Sequence, residues 1–152
     1  MDANRFLVDC MLIRLGRWMR LCGKDVANPC SVDDSALLHQ ALAEGRVMLT
    51  RDRALAERCL GSGQDCLLIR SDQLDEQLQE LKSAGVRLQL NPQRCTLCND
   101  LLEEERRAES PGQSWRCRGC GRRYWTGSHW NGIKRRLSYI GDGGPSPREG
   151  RG

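Results

Sequence analysis

Four cysteines in the last third of the chain constrain its fold more than any other feature. Cys95-Thr96-Leu97-Cys98 and Cys117-Arg118-Gly119-Cys120 are two CxxC pairs with eighteen residues between them. A two-residue gap lets one tight turn present both thiolates of a pair to a single tetrahedral ion. The separation falls within the pattern of a four-cysteine zinc ribbon. Asn99-Asp100 follows the first pair as a turn signal, and Gly119 and Gly121 stand where the backbone must bend back toward the metal. Two redox pairs or a disulfide set are the competing readings, and two matched pairs are more specific to a metal than to either. The expectation is one structural Zn²⁺ on Cys95, Cys98, Cys117 and Cys120. Four sulfur ligands close the coordination shell, so any chemistry is to be sought elsewhere in the chain.

The other cysteines, Cys10, Cys22, Cys30, Cys59 and Cys66, are scattered through apolar or amphipathic stretches, and the total of nine is odd. In such contexts a free cysteine behaves as a small buried hydrophobe. No secretory signal pattern precedes Phe6, and no stretch approaches the ~18 apolar residues of a membrane span. These features point to a reduced, intracellular protein, cytoplasmic or nuclear, without a membrane partner.

At 152 residues the chain suits one compact unit plus a small zinc appendage. Its charge is unevenly placed. Through Pro92 there are twelve Lys/Arg against thirteen Asp/Glu; from Gln93 onward there are twelve against seven. Between Arg116 and Arg136 seven basic residues occur with no acidic one. Zinc on four thiolates contributes about −2 formally, which weakens the local field. Even so, Arg122, Arg123, Lys134, Arg135 and Arg136, interleaved with Tyr124, Trp125, Trp130 and Tyr139, resemble a surface that holds phosphates and stacks on bases. A solvated basic face, with aromatics serving as the small core of the ribbon, is the plainer reading. It is preferred for Trp115 and Tyr124, which flank the ligands; for the basic cluster, and for Trp125 and Trp130, nucleic-acid contact is expected.

The first ninety residues alternate between strand and helix signals. Phe6-Leu7-Val8, Arg46-Val47-Met48-Leu49-Thr50 and Cys66-Leu67-Leu68-Ile69 are short apolar strand candidates. Met11, Leu12, Leu15, Met19 and Leu21 recur at helical spacing with Arg14, Arg17 and Arg20 on other faces, and Gly23 closes that helix. Asp34 reads as the N-cap of a helix carrying Leu37, Leu38, Ala41 and Leu42 and ending at Gly45. Ala54, Leu55 and Cys59 mark a third helix, and Leu74, Leu78 and Leu81 a fourth. Continuous apolar strands separated by helices predict an α/β parallel sheet covered on both faces. The expected divisions are residues 1–90 for this unit, 91–140 for the ribbon with its basic segment, and 141–152 for a disordered tail. Asn91-Pro92 is the linker.

Asp9, Asp52 and Asp72 each follow a strand's C-terminal end directly or within a few residues, and Asp34 starts a helix that can face the same edge. In an open parallel sheet those ends line one crevice, the usual place for a ligand. Carboxylates converging there repel one another unless a hard cation lies between them, and Mg²⁺ or Mn²⁺ with oxygen ligands is the natural occupant. Such an ion orients water and stabilises charge on a transferring phosphoryl group. Helix capping is the plainer role for Asp34 and Asp72. No Gly-rich phosphate loop and no Ser/His/Asp constellation competes.

The order of these residues resembles a known family, the RNase domain found at the C-terminus of Mut-seven-type exonucleases and as stand-alone prokaryotic proteins. The resemblance runs from about Phe6 to Leu137. It includes Phe6-Leu7-Val8-Asp9, Met11-Leu12, Arg14-Leu15, Arg17-Trp18 and Arg20-Leu21, then Asp33-Asp34, Glu44-Gly45-Arg46 and Leu49-Thr50-Arg51-Asp52, and closes with Trp115-Arg116-Cys117 through Gly127-Ser128-His129-Trp130. Gly23-Lys24-Asp25 departs from it, because an aromatic residue commonly follows the glycine. The resemblance implies a PIN-like nuclease fold joined to a zinc ribbon, metal-dependent cleavage, and Asp9, Asp34 and Asp52 as the acidic set.

Two function classes follow. In the first, the chain hydrolyses phosphodiester bonds in single-stranded nucleic acid, RNA above all, with Asp9, Asp34 and Asp52 on Mg²⁺ or Mn²⁺ and Arg14, Arg17 and Arg51 on phosphates. For Arg14 and Arg17 a solvated helix face is the competing role. In the second, the ribbon and basic segment bind nucleic acid or a protein without cleavage. A phosphoacceptor domain built on Asp52 fits worse, since no second acid stands beside Asp9 and no Lys follows the last strand.

Overall fold

The computed structural model of the chain describes residues 5–106 and 112–141. Four short parallel strands form a first sheet: β1 (Arg5–Val8), β2 (Asp25–Ala27), β3 (Val47–Thr50) and β4 (Cys66–Leu68), in the order β2-β1-β3-β4. Phe6 lies opposite Val26 and Val47, and Leu49 opposite Leu67. Helices α1 (Ile13–Leu21), α2 (Asp34–Glu44), α3 (Arg53–Gly61) and α4 (Leu74–Ser83) connect or follow these strands. The central strands β1 and β3 are covered on both faces, so they read as apolar runs rather than alternations.

Side chains alternate between the two faces of the sheet, and two cores result. Phe6, Val8, Val47 and Leu49 point toward Leu12, Leu15 and Met19 at the start and along α1, and toward Leu78 and Leu81 of α4. Leu7 and Met48 point the other way, against Leu37 and Ala41 of α2 and Leu55 and Cys59 of α3. Each of these fully buried large apolar side chains stabilises the fold by about 1.5–3 kcal/mol of transfer free energy, before chain entropy. Gly16 permits the close approach of α1: a Cβ there would lie 3.3 Å from both Val8 and Val26 side chains.

The cap of α2 is Asp33, whose carboxylate accepts from Ala36 N, and not Asp34 as the sequence suggested; Asp34 is the first helical residue. Asp72 caps nothing either, since Gln73 occupies the N-cap position of α4. β2 was not foreseen. It has three residues, begins with a charge and runs into Asn28-Pro29, so it lacks the apolar run that marks its neighbours.

A second, antiparallel sheet follows: β5 (Leu102–Glu105), β6 (Ser114–Cys117) and β7 (Arg123–Trp125), in that order. Helix α5 (Ser128–Gly141) closes the described chain. Trp115 and Tyr124 are cross-strand neighbours in this small sheet, and Trp115 is buried, as the plainer reading of these aromatics held. Helix α5, which the sequence division groups with the ribbon, packs against α4 and sends Leu137 and Ile140 into the core of the first unit. The tail expected to be disordered lies outside the described residues apart from Gly141. No helix among the described residues is long and apolar enough to cross a membrane.

Candidate functional site

The four cysteines meet as the spacing predicts. Their sulfurs all lie within 4.8 Å of one another, with Cys95 to Cys120 at 3.7 Å and Cys98 to Cys117 at 3.4 Å. A tetrahedral ion at the usual Zn–S length of about 2.3 Å requires sulfurs about 3.8 Å apart. The cluster therefore has the size and donor chemistry to hold a metal such as zinc. Each pair is folded by its own backbone: Asn99 N donates to Cys95 O, and Gly121 N to Cys117 O. Asn99 takes a positive φ of 69° to complete the first turn, a conformation that asparagine tolerates better than most residues.

At Cys95 burial acts upward, but bonds from the Tyr124 hydroxyl (3.1 Å), from backbone amides and from Cys120 outweigh it and draw the thiol down to about 6. Burial and the neighbouring sulfurs push Cys98 up to about 12. Of the remaining cysteines, Cys22 is pushed up to about 12 by burial, as expected for an inert packed thiol. Cys10 and Cys30 correct the sequence reading, for both are exposed.

The first knuckle is bolted to the first sheet. β2 is an edge strand, and Val26 turns its N–H and C=O outward, where no strand pairs with them. Asn99 accepts from Val26 N at 2.9 Å through Oδ1. Arg20, only 1% exposed, donates to Val26 O through Nε (2.9 Å) and through its terminal nitrogen (2.5 Å), to Asn28 Oδ1 (3.0 Å), and to the carbonyls of Thr96 (2.8 Å) and Leu97 (3.3 Å) inside the CxxC turn. Asp25 gathers Arg46 at 2.7 Å, Arg94 at 3.6 Å, Arg5 at 3.7 Å and the Asn99 amide at 2.6 Å. Burial acts upward on its carboxyl, but these partners, Arg46 and Asn99 foremost, hold it below the usual carboxylate range. Sequence reasoning missed this set. Arg20 read as one more basic residue on a helix, and only the tertiary fold brings it to Thr96, 76 positions away.

The acids occupy the C-terminal edge of the parallel sheet. Asp9, 6% exposed, follows β1; its Oδ1 accepts from Met11 N at 2.9 Å, and its Oδ2 from the Thr50 hydroxyl at 2.5 Å and Arg51 N at 3.4 Å. Thr50 ends β3 and its oxygen accepts in turn from Asp52 N at 2.9 Å. Asp52 Oδ1 caps α3 through Ala54 N and Leu55 N. Asp9 and Asp52 are thus joined through one fully buried hydroxyl, on the side of the sheet covered by α2 and α3. Asp34 stands at the first residue of α2, with Arg58 of α3 at 4.0 Å. Among the described residues only the four cysteines bring three or more ligand atoms within 4.8 Å of one another; Asp9, Asp34 and Asp52 do not. Thr50 carried no signal beyond its place at a strand end.

Of the basic residues singled out, Arg14 and Arg17 are exposed on α1, and Arg51 donates to Arg70 O at 3.3 Å. Arg122, Lys134 and Arg135 are exposed. Arg123 instead pairs with Glu105 at 3.3 Å. Arg136 pairs with Asp75 at 2.7 Å and lies 5.4 Å over the Trp18 ring, so it pins α5 to α1 and α4 rather than facing a ligand. Trp130 is also corrected. It is 8% exposed and stacks on Trp115 with ring centroids 5.7 Å apart, which leaves no face for a base; Trp125, 54% exposed, keeps one.

A parallel sheet with carboxylates at its C-terminal edge, fastened to a four-cysteine antiparallel knuckle, defines an α/β class of protein with a cluster able to hold a metal. The chain belongs to the Mut7-C RNAse domain family, whose model matches residues 4–137. Neither a curated protein nor a solved structure matches it significantly.

Proposed function

We propose that this chain is a metal-dependent ribonuclease that hydrolyses phosphodiester bonds in single-stranded nucleic acid, within a family linked to 3′–5′ exonucleases. The observation that carries the reading is the link Asp9–Thr50–Asp52 at the C-terminal edge of a parallel sheet, in a member of an RNAse domain family. Asp9 and Asp52 keep acceptor capacity beyond their protein hydrogen bonds, and they, with Asp34 at the rim, would hold Mg²⁺ or Mn²⁺. When bound, such an ion activates water and offsets charge on the transferring phosphoryl group. Thr50 orients Asp9 by donating to it, while Met11 N keeps the other oxygen in place. Arg14, Arg17 and Arg51 supply cations for the scissile and flanking phosphates. The cysteine cluster would carry a structural Zn²⁺ and take no part in cleavage, because four sulfurs leave no open position.

The test is cleavage of end-labelled single-stranded RNA and DNA with Mg²⁺, Mn²⁺ or chelator, comparing the native chain with Asp9→Asn. Metal-dependent cleavage reduced at least about 100-fold by the substitution is expected. One observation favours a non-catalytic binding module instead, namely that the three acids are not gathered within 4.8 Å. Binding without cleavage under every metal condition would select that reading.

A further inference from the structure

The cations of this chain divide into neutralised and free ones, and the division does not follow the sequence. On the second sheet and α5, Arg118 pairs with Glu103, Arg123 with Glu105 and Arg136 with Asp75. By contrast, Lys82 at the end of α4, Arg87 in the segment after it and Lys134 on α5 form no side-chain ion pair or hydrogen bond among the described residues. These three line one groove of about 770 Å³. Its floor is aliphatic, with Leu88, Leu90 and Leu137, and no acidic residue among the described ones lines it. A volume of several hundred Å³ over an apolar floor suits a ligand with flat apolar parts. A rim of uncompensated cations suits one that also carries repeated negative charge.

We infer that this groove between the end of α4 and α5 holds the backbone and bases of a single-stranded nucleic acid, as a second contact region for the strand cut at the carboxylate edge. The inference rests on the nuclease reading proposed above. Helix α4 starts after β4, and Glu80 in its last turn accepts from Arg70 N and Ser71 N, just past that strand. Ten helical residues span about 15 Å, or four to five nucleotides at stacked spacing. Lys134 was already expected to touch nucleic acid. The groove partners it with Lys82 and Arg87 of the first unit, rather than with Arg123 and Arg136, whose charges are compensated.

The experiment measures binding of the full, zinc-loaded chain to fluorescent single-stranded RNA of about 20 nucleotides at two salt concentrations, with Mg²⁺ and Mn²⁺ omitted so that no cleavage occurs. The variant Lys82→Gln/Arg87→Gln/Lys134→Gln replaces exposed or half-buried charges by polar groups of similar reach, and a thermal melt matching the parent verifies its fold. The expected result is at least a tenfold loss of affinity, with the salt slope reduced by about 2, the value for three phosphate contacts on a single strand. Cleavage of the long strand should be reduced in the variant at sub-saturating substrate. Unchanged affinity and slope alongside intact cleavage would overturn the groove and leave the nuclease reading standing. A parent chain that neither binds nor cuts any strand would overturn both. Competition by polyglutamate as effective as RNA of equal charge would overturn the nucleic-acid occupant in favour of an acidic peptide. If the variant melts early, the single substitution Arg87→Gln decides, with a measurable loss of affinity and a salt slope reduced by about 0.7 expected, and no change in either overturning the groove.

Discussion

Arg20→Met tests how the metal knuckle is joined to the sheet. Methionine keeps an unbranched stem in the helix and removes the charge and every donor. The buried guanidinium makes five hydrogen bonds, two of them to Val26 O, the outward carbonyl of edge strand β2. Without Arg20 that carbonyl is left buried and unpaired, which costs about 1–3 kcal/mol. The carbonyls of Thr96 and Leu97 and the Asn28 amide oxygen are partly accessible, so water replaces some of their bonds and about 1–2 kcal/mol more is lost there. Relief from desolvating a buried cation offsets part of the sum. The net expectation is about 3 kcal/mol of lost stability. For a chain of this size that is a fall in melting temperature of roughly 6–12 °C. The CxxC turn loses its anchor at the same time, so zinc should pass to a chromogenic chelator faster than from the parent. Arg20→Lys, with one ammonium and a shorter reach, should fall between the two. Urea denaturation followed by tryptophan fluorescence, run beside the chelator assay, reads both effects. A loss below about 0.5 kcal/mol with unchanged zinc release would refute the argument that Arg20 links the two units.

Thr50→Val preserves shape but strips Asp9 of its shortest hydrogen bond and leaves Asp52 N without an acceptor; about 1–3 kcal/mol of stability and most long-strand cleavage should go, measured by melting and by the labelled-RNA assay. Cys117→Ser should bring metal content, by elemental analysis, from one zinc per chain to well below one. Arg20, Asn99 and α5 tie the two units together, so hydrogen exchange in β2 should speed up in this variant as well. Asp25 has a folded pKa below its unfolded value of about 3.9, so its stabilisation is present above that pH and is lost as pH falls through the folded value. Asp25→Asn should therefore be less stable at neutral pH, with a flatter loss of stability below about pH 4 in denaturant titrations.

Apart from β2, the order of elements in the first unit was legible without coordinates, and so was the cysteine cluster. Apolar runs ending in Asp9 and in Arg51-Asp52 mark strands of a covered parallel sheet, because burial on both faces demands apolar side chains at every position. Two CxxC pairs point to one shared metal site, because tetrahedral thiolate geometry tolerates few spacings. Membership of the Mut7-C RNAse domain family was legible in the same motifs. What only the tertiary structure decided is how charge and aromatic residues are used. Arg20, Arg122 and Arg136 look alike in a sequence, yet one is buried among carbonyls, one is exposed and one is paired with Asp75 over Trp18. Trp125 and Trp130 lie five positions apart, and β7 turns the first to solvent while α5 lays the second on Trp115. A polar side chain takes its role from partners that are distant in the chain, and its own identity does not encode them. Packing of α5 against α4 likewise creates the groove that carries Lys82, Arg87 and Lys134, a set drawn from three segments with no common motif.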